Sequence, residues 1–172
     1  MQILDRLMAI IDKVCKWCAV VAAGLVLPLI FIQVFEVVAR YVFDSPTIWA
    51  FEMSKFTGGS VFVLGMAWAL LIGAHIRVDI LYNRMSPRKQ ALLDVVITVV
   101  LVFPALLLSA ERMIEWTADA WAIKEVSSDT AWRVPIYPFI TVMPISIIVL
   151  TLALFNTTVR DIRKLIGKRE GV

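Results

Sequence analysis

The chain has 172 residues, 60% hydrophobic and only 18% charged, with a mean hydropathy of +0.85, which excludes an ordinary soluble domain, nearer half apolar and a quarter charged. The net charge of +3 raises nucleic acid as a partner, but the basic residues follow a membrane topology rather than forming a phosphate-binding patch, so no nucleic acid is implied. Two cysteines make no disulfide scaffold.

The apolar excess falls into runs near the roughly 20 residues that a helix needs to cross a bilayer. The N-terminal segment carries Arg6, Lys13 and Lys16, and the first run covers about residues 14–39. It outlasts the apolar core of a signal peptide and shows no small-residue cleavage pattern, so an uncleaved helix is expected. "CKWC", Cys15 to Cys18, suggests thiol redox chemistry. A membrane oxidoreductase needs a second cysteine pair to pass electrons on, and none follows. The pair reads as two small apolar residues on one helix turn. Gln33, Glu36 and Arg40 share one face of this helix, at i, i+3 and i+7. Glu36 and Arg40 can pair. Ionisable groups at such a depth are costly unless paired or turned to a partner. Two readings stay open: a polar contact with another helix or subunit, or an end-of-helix pair reaching for the interface.

"SPTIWAFEMSKF", Ser45 to Phe56, offers Ser45 as N-cap and Pro46 at N1 of a helix. Ile48, Trp49, Met53 and Phe56 mix with Glu52 and Lys55, which predicts an amphipathic helix on the outer surface that bends at Gly58-Gly59 into the second run, about 56–74. Within that run Gly65, Ala69 and Gly73 recur every four residues. Apolar burial cannot draw helices together in lipid, so this small-residue stripe marks a packing face, towards the chain's own helices or another protein.

"GAHIRVD", Gly73 to Asp79, holds the only histidine. One histidine cannot form a bis-histidine haem site. His75 and Asp79 are too few for a metal centre, and Arg77 lies between them. His75, Arg77 and Asp79 alternate with Ile76, Val78 and Ile80, which turns polar groups to headgroups or a partner where the second helix leaves the bilayer. "SPRKQ" then makes a turn into the third run, about 91–110, with Asp94 near its start reaching water or a basic residue. "ERMIEWTADAWAIK" extends that helix outward, with Trp116 and Trp121 in an aromatic belt, and Trp132 and Tyr137 anchor the fourth run, about 135–157. Pro28, Pro104 and Pro144 sit inside three of the runs and should kink them. No Ser–His–Asp set, Gly-rich phosphate loop or zinc-type spacing is present, so no catalytic residue and no cofactor are implied.

Basic residues orient the bundle. Arg6, Lys13 and Lys16, then Arg77, Arg84, Arg88 and Lys89, then Arg160, Arg163, Lys164, Lys168 and Arg169 fall on one side. Only Arg40 and Lys55, and Arg112, Lys124 and Arg133, fall on the other. That far side instead carries Asp44, Glu111, Glu115, Glu125 and Asp129. The expectation is an all-α membrane protein of one domain, 1–172: a bundle of four transmembrane helices with short amphipathic interfacial helices and both termini cytoplasmic.

Three stretches, "ARYVFDSPTIWAFE", "GAHIRVDILYNRMSPR" and "WRVPIYPFITVMPIS", in this order and joined by such spans, resemble the small membrane subunit (DctQ type) of tripartite ATP-independent periplasmic, or TRAP, transporters. The resemblance covers nearly the whole chain. It implies a multi-pass protein of the bacterial inner membrane, partnered by membrane lipid, a large membrane subunit (DctM type) and a periplasmic substrate-binding protein (DctP type). In such systems the large subunit moves as an elevator and carries the substrate and sodium sites. The small one braces it and helps dock the binding protein for sodium-driven uptake of an organic acid. On that basis Glu36, Arg40, Trp49, Glu52, Gly65, Ala69, Gly73, His75, Arg77 and Asp79 are candidate scaffold contacts. Asp44, Glu111, Glu115, Glu125 and Asp129 form a candidate docking surface. The rival reading is a four-span anchor or assembly subunit of an unrelated complex.

Overall fold

The computed structural model describes residues 2–73 and 86–167. Helix α1, Gln2–Tyr41, has 40 residues. At a rise of about 1.5 Å per residue it is roughly 60 Å long, twice the ~30 Å of a hydrocarbon core. Helix α2, Ala50–Leu71, follows. The third stretch is α3, Pro87–Ile97, a π-helical turn, Thr98–Val102, and α4, Phe103–Ile123. A short α5, Tyr137–Ile140, leads into α6, Val142–Gly167. Four stretches are long and apolar enough to cross a membrane: Ile3–Tyr41, Ala50–Leu71, Leu92–Ile123 and Tyr137–Arg163. Among the described residues the only β-type pairing is the antiparallel bridge of Val126 with Pro135.

α1 packs most extensively on α2, α2 on α6, and α4 and the N-terminal half of α1 more lightly on α6. The core forms where small side chains let backbones come close: Cys15, Ala67 and Ala153 meet Val149 and Leu150. Cys15 is fully buried there, with Cys18 packed against the same cluster, and both thiols are free. α1 and α2 also approach at Gly58, where an added Cβ would lie 3.8 Å from Leu29 Cδ2. Little else is interior. In the most apolar window of the third span no residue is buried within the chain, against 28% in the fourth. α6 is the axis on which the others lean.

Polar contacts tie the two chain ends together. The Asn156 amide, completely buried, donates to the Met8 carbonyl at 3.1 Å and to Asp12 Oδ1 at 2.6 Å. Arg160 donates to the other Asp12 oxygen at 2.5 Å. Arg163 reaches Asp5 at 2.5 Å. Both ends of the chain therefore lie at one end of the bundle, and the 42–49 and 124–136 connections at the other.

Several local expectations are corrected. Ser45 and Pro46 do not open a helix. Residues 45–47 are irregular, because the Thr47 amide and hydroxyl both donate to Glu36, and α2 starts only at Ala50. α2 is not interrupted at Gly58-Gly59. It runs unbroken through them, as apolar surroundings demand of a backbone that must satisfy its own hydrogen bonds. The prolines do not act alike. α1 continues through Pro28. Pro144 lies in the first turn of α6, where a missing N–H leaves no bond unmade, and the span is interrupted just before it, at Thr141 between α5 and α6. Pro104 disturbs its helix visibly: the π-helical turn before it widens the ladder where the proline ring would crowd the carbonyl four residues back.

The Gly65, Ala69, Gly73 stripe is not a uniform packing face: Ala69 is half-buried, while the two glycines differ from it. A Cβ on Gly65 would meet nothing within 4 Å, and Ala67 enters the core instead. Gly73 lies beyond the helix with φ +70°, donating to the Leu70 carbonyl at 3.1 Å, and so terminates α2. Gly73→Ala should therefore cost about 1 kcal/mol. Gly65→Ala, in open space within a helix, should raise stability by about 0.5–1 kcal/mol. Thermal unfolding of the two variants in mild detergent checks the opposite signs.

Candidate functional site

Two polar knots organise the connector end. The first is built on Glu36. Arg40 donates to Oε1 through Nε at 3.0 Å and through a terminal nitrogen at 2.5 Å. The backbone N–H of Thr47 donates to Oε2 at 3.0 Å and its hydroxyl donates to the same oxygen. One carboxylate thus joins the last turns of α1 to the strap that follows. Asp44 turns the strap with φ +47°, and Ser45 N–H reaches back to the Ala39 carbonyl at 3.0 Å. The Trp49 ring lies 5.7 Å from that of Phe35, which in turn stacks on Phe31 at 6.3 Å. Glu36 is therefore an internal fastener between α1 and the strap. Arg40 keeps about half its side chain exposed.

The second knot is built on Glu52, which belongs to the first turn of α2 and is fully buried. This corrects its expected place on an exposed amphipathic surface. Thr130, far along the chain, donates its hydroxyl to Glu52 Oε1. Oε2 meets no hydrogen-bonding group of the described residues. One turn away Lys55 pairs with Asp129 at 2.5 Å, both partly exposed. These two contacts press the 124–136 connection onto α2.

That connection has its own frame. Lys124 caps α4 in the left-handed conformation, φ +51°, and Glu125 N–H returns to the Ala120 carbonyl at 2.9 Å. Ser127 N–H donates to the Val134 carbonyl at 2.8 Å and Ile136 N–H to the Glu125 carbonyl at 3.0 Å. Trp121 donates to Thr141 Oγ1 at 2.9 Å and packs on Tyr137 at 4.6 Å. Trp121 and Tyr137 therefore hold the protein to itself at this level.

Of the acidic candidates, Glu111 is exposed, Glu115 pairs with Arg112 at 2.8 Å, Glu125 is half-buried and Asp129 is paired with Lys55. Asp44, Glu111 and Glu115 stay at the surface. Ala69 is half-buried on α2. His75, Arg77 and Asp79 lie outside the described residues. Asp94 lines a recess of about 340 Å³ with Thr98, Thr157, Thr158 and Asp161. Among the described residues no group of three His, Cys, Asp or Glu side chains converges on a metal-sized site.

Thr47, Thr130 and the Asn156–Asp12–Arg160 clasp escaped the sequence reading. The clasp had a legible signal. Asp5 and Asp12 stand seven apart on one helix, and Asn156, Arg160 and Arg163 at matching four- and three-residue steps on another. The threonines had none, since their value lies in contacts 11 and 78 residues away.

Four membrane-length helices, polar fasteners at both ends and broad apolar flanks define a multi-pass membrane protein. Residues 29–164, well over half of the chain, match the family described as "Tripartite ATP-independent periplasmic transporters, DctQ component". The chain belongs to this DctQ family, a membrane component of TRAP transporters and not an enzyme family. No match to an individually curated protein was found.

Thr130→Val should destabilise the protein by about 2 kcal/mol, because it leaves a buried carboxylate without its donor. Glu52→Gln should cost less. Unfolding in detergent reads both, and a Thr130→Val protein as stable as the parent would show that the bond contributes nothing.

Proposed function

We propose that the chain is the static brace of a TRAP transporter in the bacterial inner membrane, with both termini cytoplasmic. It holds the large, DctM-type subunit steady and presents a docking face to the DctP-type binding protein during sodium-driven uptake of an organic acid. The observation that carries this reading is how little the spans bury against one another: no residue in the most apolar window of the third is fully buried. The flanks of so thin a bundle suit a neighbour's helices as well as lipid. The open small-residue face at Gly65 supports the same use, since close backbone approach is how helices associate in lipid. The surface carboxylates Asp44, Glu111 and Glu115 support the docking role through electrostatic steering of a soluble partner.

Cells holding the large subunit and binding protein without this chain should show only background uptake, and returning the chain should restore it. Proteoliposomes holding this chain alone should take up nothing. Sodium-dependent uptake by the chain alone would overturn the reading. Reversing the charge at Asp44, Glu111 and Glu115 together should lower uptake several-fold while the membrane subunits still co-purify. Unchanged uptake would remove the docking role and leave the brace.

A further inference from the structure

A cavity of about 450 Å³ opens at the connector end between α2, α4 and the start of α6. Its volume lies in the range of small-molecule sites, and its polarity is graded along α2. At the mouth stand Lys55, Glu125, Ser128 and Asp129. Further along α2 and α6 it is lined by Phe62, Val63, Val142 and Met143, and Phe56 stacks on Phe139 at 4.4 Å to form a wall. From Lys55 to Val63 the helix descends about 12 Å, the scale on which a bilayer passes from headgroup to acyl chain. Trp116, whose residue type marks that boundary, also lines the cavity.

The floor is open because Gly59 carries no side chain. An added Cβ there would meet nothing within 4 Å. The mouth holds one ammonium, Lys55, against two carboxylates, Glu125 and Asp129. That balance disfavours a net anionic headgroup and complements one carrying both a phosphate and a primary ammonium. The Lys55–Asp129 pair is exposed, contributes little by itself and opens readily to exchange partners.

We propose that this cavity holds one phospholipid of the phosphatidylethanolamine type. Lys55 and the Ser128 hydroxyl meet the phosphate, Asp129 and Glu125 meet the ammonium, and an acyl chain lies along Phe62, Val63 and Met143. The site does not rest on the docking role proposed above, because its readout needs no binding protein.

The test uses the purified full chain in nonionic detergent, stripped of lipid and titrated with phosphatidylethanolamine or phosphatidylglycerol of the same chains, with bound lipid counted by native mass spectrometry. One phosphatidylethanolamine per chain should bind, at least ten-fold more tightly than phosphatidylglycerol. Gly59→Leu, which fills open space and favours the helix, should lose that lipid at least ten-fold without lowering the unfolding midpoint. Asp129→Asn should erase the preference between the two headgroups while keeping an acyl chain bound. Equal binding of the two lipids by the parent chain would overturn the proposal. So would a Gly59→Leu protein that retains the lipid, or a photo-reactive group at Phe62 that captures a membrane protein instead of lipid in native membranes.

Discussion

Water cannot press helices together inside hydrocarbon, and that absence governs the whole design. Apolar side chains gain nothing by leaving lipid for one another, so association rests on close backbone approach and on polar groups that find each other. The close approach is at Cys15, Ala67 and Ala153, with Gly58 letting Leu29 in. The polar groups sit at the two ends: Asp5, Asp12, Asn156, Arg160 and Arg163 at one, Glu36, Thr47, Glu52 and Thr130 at the other. Between them the helices mostly face outward.

The connector end concentrates the chemistry. Fixing a carboxylate inside a protein is expensive unless donors surround it, and here Glu36 and Glu52 each convert that expense into a long-range tie. Each accepts a threonine hydroxyl from a connection that would otherwise run free. Two loops of opposite position in the chain become one shaped surface, and the cavity beneath Lys55 and Asp129 follows from that arrangement.

The architecture was legible because hydropathy and bilayer thickness leave few choices. The spans, their number and the meeting of both chain ends at one end of the bundle all follow from apolar run length and helix parity. What escaped was set by single contacts. Ser45-Pro46 reads locally as a helix start, yet Glu36 claims Thr47 and delays α2 to Ala50. Glu52 reads as the polar side of a surface helix, yet Thr130 buries it. Gly65, Ala69 and Gly73 read as one stripe, yet Gly73 ends the helix and Gly65 faces open space. Periodicity records which residues share a face of their own helix. It is silent about what arrives opposite.

α1 carries one further implication. Its first turns hold Asp5, Arg6, Asp12 and Lys13, too many charges for hydrocarbon, so they stand clear of the acyl region beside the last turns of α6. The two helices together form a stem at that end of the bundle, fastened by ion pairs that ions in solution can reach. Dissolved salt weakens such pairs yet leaves the buried amide of Asn156 and the small-residue seam below it untouched. Ionic strength thus acts on this molecule as a selective solvent, loosening the stem first and the lipid-embedded part hardly at all.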